Sequence, residues 1–225
     1  MAAGWGLGAA PPGALAAGLA TPPMAALPAA LLPAGAATGH LLAWRIDAER
    51  FAPQWDSGIG AELYGGRWNP KGQRAVYCSL DPATCLVEAA VHRGFAVLDT
   101  QPHVLSCVQI TLGAEAAGPA AADRAGASPA TARPTAAQPA DASPAIRVVQ
   151  PGELPNPAWL HGGTPSAGQQ QFGGGLLLAH GIVLLPSAVS KCSWNLVLAP
   201  AVAAGRYRLL HQQRLVVDTR LHPAG

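Results

Sequence analysis

Two tracts of Ala, Pro and Gly set the limits of what this chain can fold. Residues 1–38 form a leader whose apolar runs are broken by Pro11, Pro12, Pro22, Pro23, Pro28 and Pro33. Residues 113–145 are Ala, Pro, Ser, Thr and Gly with scattered charges and no period. Proline removes a backbone donor and breaks helix interiors, and such irregular composition buries too little apolar surface to offset the entropy of ordering. The expectation is a disordered leader over 1–38, with at most a helical turn around Met24–Leu32. A domain over 39–225 follows, carrying a low-complexity insertion at 113–145. The leader lacks a basic n-region, and its prolines argue against a signal peptide or a membrane span.

Outside those tracts the pattern is a mixture of strands and few helices. Leu41–Ile46 reads as a strand, Gly65–Gly72 as a loop, and Ala75–Ser79 as a short strand with Tyr77 and Ser79 on one face. The next helix is punctuated clearly: Asp81 suits the N-cap, Pro82 the first helical position and Gly94 the C-terminal stop. Glu88 and His92 share its one polar sector, four residues apart. A strand is expected at His103–Leu112, order resumes at Ile146–Val149, and Leu154–Trp159 is a turn-rich connection. A glycine-started helix is expected over 172–180. Strands follow at Gly181–Leu185 and Trp194–Leu198, then a hairpin of Arg206–Leu210 with Arg214–Asp218. Strands that do not alternate with helices in βαβ units point to an α+β fold, a single compact domain with a central mixed or antiparallel sheet and flanking helices.

Charge and cysteine usage exclude several function classes. A formal net charge of +2, with only 12% charged residues, gives no concentrated basic face for nucleic acid. Cys78, Cys85, Cys107 and Cys192 form no Cys-x-x-Cys pair, and the seven histidines have no metal-ligand spacing. The thiols read as small core residues of a cytoplasmic protein. No metal and no membrane partner are expected.

The chemistry-bearing residues crowd into one stretch. Gly65-Gly66-Arg67-Trp68-Asn69-Pro70-Lys71-Gly72 leads through Ala75-Val76-Tyr77-Cys78-Ser79 to the helix with Glu88. Arg45 and Arg67 are planar forks suited to phosphate or carboxylate. Trp68 and Tyr77 can stack on a ring, and the glycines allow backbone close to an anion. Glu88 is the only carboxylate of an apolar helix. Together these suit a phosphorylated, ring-bearing ligand with one carboxylate for chemistry. Each also has an ordinary reading: Gly-Gly before Arg is a common turn, and Glu88 with His92 is a surface pair worth ~0.3 kcal/mol. Ser187, in Leu185-Pro186-Ser187, lacks the Gly-x-Ser-x-Gly elbow and reads alone as a turn serine.

In combination these segments resemble the RES-domain family, named for Arg, Glu and Ser positions. Trp44-Arg45-Ile46 is similar to its opening strand, and Gly65–Gly72 to its Gly-Gly-Arg-Trp-Asn loop. Val76–Ser79 with Leu86-Val87-Glu88 matches the strand and Glu-bearing helix, and Leu154–Trp159 a Leu-Pro…Trp segment. Leu184–Val189 matches the Ser segment, and Asp218-Thr219-Arg220-Leu221 the closing Asp-x-Arg-Leu. The resemblance covers roughly residues 41–221. Two segments depart from the pattern: Gln169–Gly175 is unusually rich in Gln and Gly, and Ala199-Pro200-Ala201-Val202 stands where the family shows Asn-Pro…His, although Asn195 is retained.

The resemblance implies a fold like that of ADP-ribosyltransferases and a toxin of a toxin–antitoxin pair that consumes NAD, with NAD as substrate and no metal. It implies Glu88, Tyr77 and Ser187 as catalytic residues and Arg45, Arg67, Trp68 and Asn69 as NAD-binding residues. Glu88 would stabilise an oxocarbenium-like ribose and the arginines would grip phosphate. Tyr77 would hold the nicotinamide end, and Ser187 would contact ribose or amide or orient Glu88. A cognate antitoxin is the implied partner, and self-association is left open. Two alternatives stand beside NAD degradation: ADP-ribosyl transfer to a protein target, and an inactive module that binds a partner protein.

Overall fold

The computed structural model describes residues 24–27, 39–112 and 146–216. Seven strands form one mixed sheet: β1 (Gly39–Ala48), β2 (Val76–Ser79), β3 (His103–Leu112), β4 (Arg147–Val148), β5 (Ile182–Pro186), β6 (Trp194–Leu198) and β7 (Tyr207–Leu215). Their spatial order is β4-β5-β6-β2-β1-β3-β7. Only β4 and β5 pair in parallel; the other neighbours are antiparallel. The helices are α1 (Ile59–Tyr64), α2 (Pro82–Arg93), α3 (Phe95–Thr100) and α4 (Ala167–His180). The fold is α+β.

The central strands are apolar on both faces, as a covered sheet requires. Ile182, Val183, Leu184 and Leu185 are all fully buried, and their alternate side chains enter two separate cores. One core gathers Leu41, Val76, Ile110, Leu184 and Leu196. The other sets Val183, Leu185 and Val197 against Leu177 of α4 and Trp68. A smaller cluster seats Cys85 and Ala90 of α2 on Ile46 and Leu105.

Local sequence explains the α2 boundaries. The Asp81 carboxylate accepts from the Thr84 backbone N–H at 2.7 Å, Pro82 opens the helix, and Gly94 closes it with φ of 84°. The α4 boundary is earlier than residue 172. Ser166 caps the helix, its Oγ accepting from the Gln169 N–H at 3.2 Å, so the Gln run is helical as well.

The expected hairpin at 206–218 is instead one strand, β7, running antiparallel to β3 from Tyr207 to Leu215. His211-Gln212-Gln213 contains no turn-forming residue. Gln212 Nε2 donates to Ser106 Oγ and to the Ala52 carbonyl, both at 3.0 Å, which holds the strand straight across the proposed turn. A bulge takes up one residue, since Cys107 faces His211 while Val108 faces Leu209. β3 itself is buried on both faces apart from Thr111, polar residues included; β1 and β7 cover its edges, while the main core and the α2 cluster take its apolar side chains. The short helices α1 and α3 and the 3₁₀ turns at Glu49–Gln54, Pro151–Glu153 and Pro157–Leu160 were not anticipated. Residues 24–27 have no regular structure but belong to the domain. The Trp194 indole donates to the Ala25 carbonyl at 2.8 Å, and Met24 and Leu27 pack against the core. The remainder of the leader, the 113–145 insertion and the Asp218–Leu221 segment lie outside the described residues.

Candidate functional site

β1 and β2 share a single register pair, Trp44 with Ser79. A cleft of about 740 Å³ is lined by both strands, α1, α2 and the Gly65–Trp68 loop. That volume is in the range of small-molecule sites. It brings together Arg45, Arg67, Trp68, Tyr77 and Glu88, five of the seven residues singled out from sequence.

Glu88 sits midway along α2 and is anchored by groups distant in sequence. Its Oε1 accepts from Ser187 Oγ at 2.6 Å and from Asn195 Nδ2 at 2.5 Å. Ser187 Oγ also accepts from the N–H groups of Val189 and Ser190, so the turn after β5 fixes the hydroxyl. Oε2 has the His92 ring nearby, at 3.6 Å, one turn along the helix. Burial pushes the Glu88 carboxyl up, but the donors His92, Ser187 and Asn195 outweigh it and hold the group below its ordinary value. The result is an ionised carboxylate with one oxygen tied down and the other available to the cleft.

Arg45 is committed elsewhere. Its Nε and Nη2 donate to the two Asp47 oxygens at 2.7 and 2.5 Å, and Nη1 donates to the Tyr77 carbonyl at 3.0 Å. Two residues apart on one strand, the pair is a bidentate fork on a carboxylate. Burial pulls the Arg45 pKa down, and the Asp47 charge more than restores it. The guanidinium is therefore neutralised by Asp47 and braces β1 against β2.

Arg67 has a different environment. Its Nη1 donates to the carbonyls of Trp159 and His161 at 3.0 and 3.3 Å, and no carboxylate lies in ion-pair range among the described residues. Its positive charge is uncompensated and faces the cleft.

The loop carrying Arg67 is built from buried polar contacts. Asn69 is fully buried, and its Nδ2 donates to the carbonyls of Ala61, Pro70 and Gln73 at 2.9–3.0 Å. Its Oδ1 accepts from the Tyr77 hydroxyl at 2.7 Å, while that hydroxyl accepts from the Trp68 N–H at 3.0 Å. Burial raises the Tyr77 pKa well above its ordinary value, so the phenol stays protonated and can keep donating. The Trp68 indole is 1% exposed and meets Trp159 edge-on, with ring centroids 6.4 Å apart. Both side chains are thus held by protein contacts; Trp68 also lines the cleft, whereas Asn69 supports the loop from beneath it.

The Gln/Gly segment explains itself against this loop. A Cβ on Gly173 would overlap the Trp68 backbone, and one on Gly174 would overlap the Gln73 side chain and Pro70. α4 therefore approaches as only a glycine face permits. Gln170 Nε2 then donates to the Gly66 carbonyl at 2.9 Å and Gln169 Nε2 to the Trp159 carbonyl at 3.1 Å. Gly66 is equally crowded, since a Cβ there would run into the Tyr77 hydroxyl.

Ser187 is 3% exposed and reaches the site only through Glu88. Asp47, Ser79, Asn195 and Arg93 also line the cleft and were not singled out as site residues from sequence. Asp47 could have been read from its i, i+2 spacing to Arg45 on a strand; nothing local marks the others. Among the described residues no three His, Cys, Asp or Glu side chains converge as a metal site. No helix among them is long and apolar enough to cross a membrane.

A family profile described as RES domain matches residues 42–218. The chain is 38% identical over 52 residues to the protein named Toxin Res of Yersinia enterocolitica, covering 23% of this chain and 34% of that protein. It is 35% identical over 66 residues to the Toxin Res of Photorhabdus laumondii, covering 29% of this chain and 42% of that protein. The matches thus span between a third and somewhat under half of the length of these curated relatives. A chain in the crystal structure of the M. tuberculosis MbcT-MbcA toxin-antitoxin complex superposes with a TM-score of 0.54 at 18% identity. That superposition covers 79% of this chain and 85% of the other. At that identity the likeness concerns the fold.

Proposed function

The chain belongs to the RES domain family, and on that premise we propose that it is a toxin that degrades NAD by breaking the nicotinamide–ribose bond. The observation that carries the reading is the pairing of Glu88, ionised and held by Oε1, with Arg67, a cation without a carboxylate partner among the described residues, in one cleft. The two Toxin Res relatives support the toxin role, and the toxin–antitoxin complex of similar fold supports a cognate antitoxin as partner. The four free cysteines suit a reducing, cytoplasmic setting.

The chemistry needs little from the protein beyond placed charge. As the ribose C1′–N bond breaks, the electron pair leaves with the ring nitrogen and nicotinamide departs neutral, so no general acid is required. Positive charge develops on the ribose, and a preorganised carboxylate stabilises it more than it stabilises the ground state. Glu88 Oε2 supplies that charge through a ribose hydroxyl or by accepting the proton of an attacking water. Arg67 grips the pyrophosphate, converting remote binding into alignment. With water as acceptor the products are ADP-ribose, nicotinamide and a proton. Phosphate or a protein nucleophile would take the place of water at the same carbon.

An inactive binding module is the weaker alternative. The departing segment Ala199–Val202 lies beyond the end of β6 and contributes nothing to the cleft wall, whereas the Ser187–Glu88–Asn195 contacts are intact. The Glu88→Gln variant tests the reading. NAD consumption should fall by about 10²–10³-fold or more in a protein that still folds. A folded Glu88→Gln protein of full activity would overturn the assignment.

A further inference from the structure

The Glu88 carboxylate is held from two directions, and only one is among the Arg, Glu and Ser positions for which the family is named. Ser187 approaches from the turn after β5 and is sealed from solvent. Asn195 approaches from β6 and lines the cleft. It lies directly opposite Ser79 of β2 in the sheet register. An ionised carboxylate only accepts hydrogen bonds, so Asn195 must turn its NH₂ toward Glu88. Its Oδ1 then faces Ser79, whose hydroxyl donates at 2.8 Å. The relay runs one way, from Ser79 to Asn195 to Glu88, and two adjacent strands fix its first two members.

We propose that Asn195, oriented by Ser79, is a positioning residue that sets the plane of the Glu88 carboxylate by tying down Oε1 and leaving Oε2 for the substrate. This rests on the reading of Glu88 as the carboxylate of the NAD chemistry. Two donors occupy both lone pairs of Oε1. Oε2 has the exposed His92 within ion-pair distance, and His92 and Arg93 are the charged or titratable neighbours on α2 besides Cys85. Across the cleft stand Arg45 and Asp47 of β1, Tyr77 and Cys78 of β2, and Arg67 of the loop; none of these is hydrogen-bonded to Glu88. The amide is therefore the cleft-facing group that touches the carboxylate without itself titrating.

The test reads Glu88 with and without activity. In ¹³C-labelled protein, the Glu88 carboxyl should titrate below the ordinary glutamate value, and Asn195→Ala should move that titration upward. The same variant should lower kcat by about 10–100-fold, the worth of one hydrogen bond to a charged group, with KM little changed. Asn195→Asp gives a signature that a merely structural role would not. A proton shared between the two carboxyls can replace the amide N–H, and it leaves as pH rises. Activity relative to wild type should then be highest at acid pH and decline toward alkaline pH. An unmoved Glu88 titration in folded Asn195→Ala protein, or an Asn195→Asp profile parallel to wild type, would overturn the proposal. Should neither variant fold, Ser79→Ala decides: kcat down several-fold at constant KM supports the relay, and unchanged kcat refutes it. A wild-type protein that leaves NAD intact would sink the functional reading, while the carboxyl titrations would still report on the relay itself.

Discussion

The two arginine-bearing walls of the cleft look equivalent in sequence and are opposites in structure. On the β1 wall, Arg45 is paired in a two-point fork with Asp47 and bonded to the Tyr77 carbonyl. On the loop wall, Arg67 hydrogen-bonds only to backbone carbonyls among the described residues. A guanidinium that already holds a carboxylate has little charge left for a phosphate, whereas one bonded to neutral carbonyls keeps all of it. The difference teaches that arginine spacing in a motif locates a cleft but does not say which arginine grips the ligand. We propose that Arg45 holds the strands together and that Arg67 would hold the pyrophosphate.

The comparison breaks most visibly at Asp47. Asp47→Ala leaves the half-buried Arg45 with only the Tyr77 carbonyl as partner, and urea denaturation should record a loss of about 1–3 kcal/mol. A loss within experimental error would mean that the β1 pair braces nothing. Arg67→Ala should do the reverse, raising KM for NAD by about 10–100-fold while the melting temperature stays put. If Arg45→Lys and Arg67→Lys raise KM equally, the division between the walls is wrong. Gly173→Ala sharpens the loop side: the added methyl meets the Trp68 backbone, so overpacking of about 1–3 kcal/mol should destabilise the protein and also weaken NAD binding. The smallest effect is on pH. The Glu88 pKa is depressed on folding, so its contribution to stability is present above the unfolded glutamate pKa, about 4.3, and is lost as pH falls through the folded value. Glu88→Gln should therefore lower the neutral plateau slightly and flatten the acid side, so that the two stability–pH curves converge at low pH.

The same contrast shows what was legible in the sequence. Local signals were read correctly where the determinant is local: Asp81, Pro82 and Gly94 bracket α2 as capping chemistry dictates. The 206–218 segment was misread because the force that straightens it, Gln212 bonded to Ser106 and Ala52, comes from residues about a hundred positions or more away. The start of α4 was hidden because Gly168 and the Gly173–Gly175 run lower helix propensity on either side of the Gln residues, which themselves favour a helix. Only the Trp68 loop, against which Gly173 must fit, gives that run its purpose. Trp68 drew notice as a stacking ring and Asn69 through the family resemblance; what the sequence did not show is that the Trp68 backbone and the Asn69 side chain also close the loop on itself through Tyr77. Asn195 lies 107 positions from Glu88, and strand register alone brings them together.

The central claim is that this cleft separates nicotinamide from ribose. Mass spectrometry of NAD incubated with the purified protein, in water, with added phosphate and with cell extract, tests it most directly. Free nicotinamide should appear in equal amount to the NAD lost, with the ADP-ribosyl half recovered on water, phosphate or a protein according to the acceptor. NAD that remains intact in all three mixtures, with folded protein present, would contradict the account.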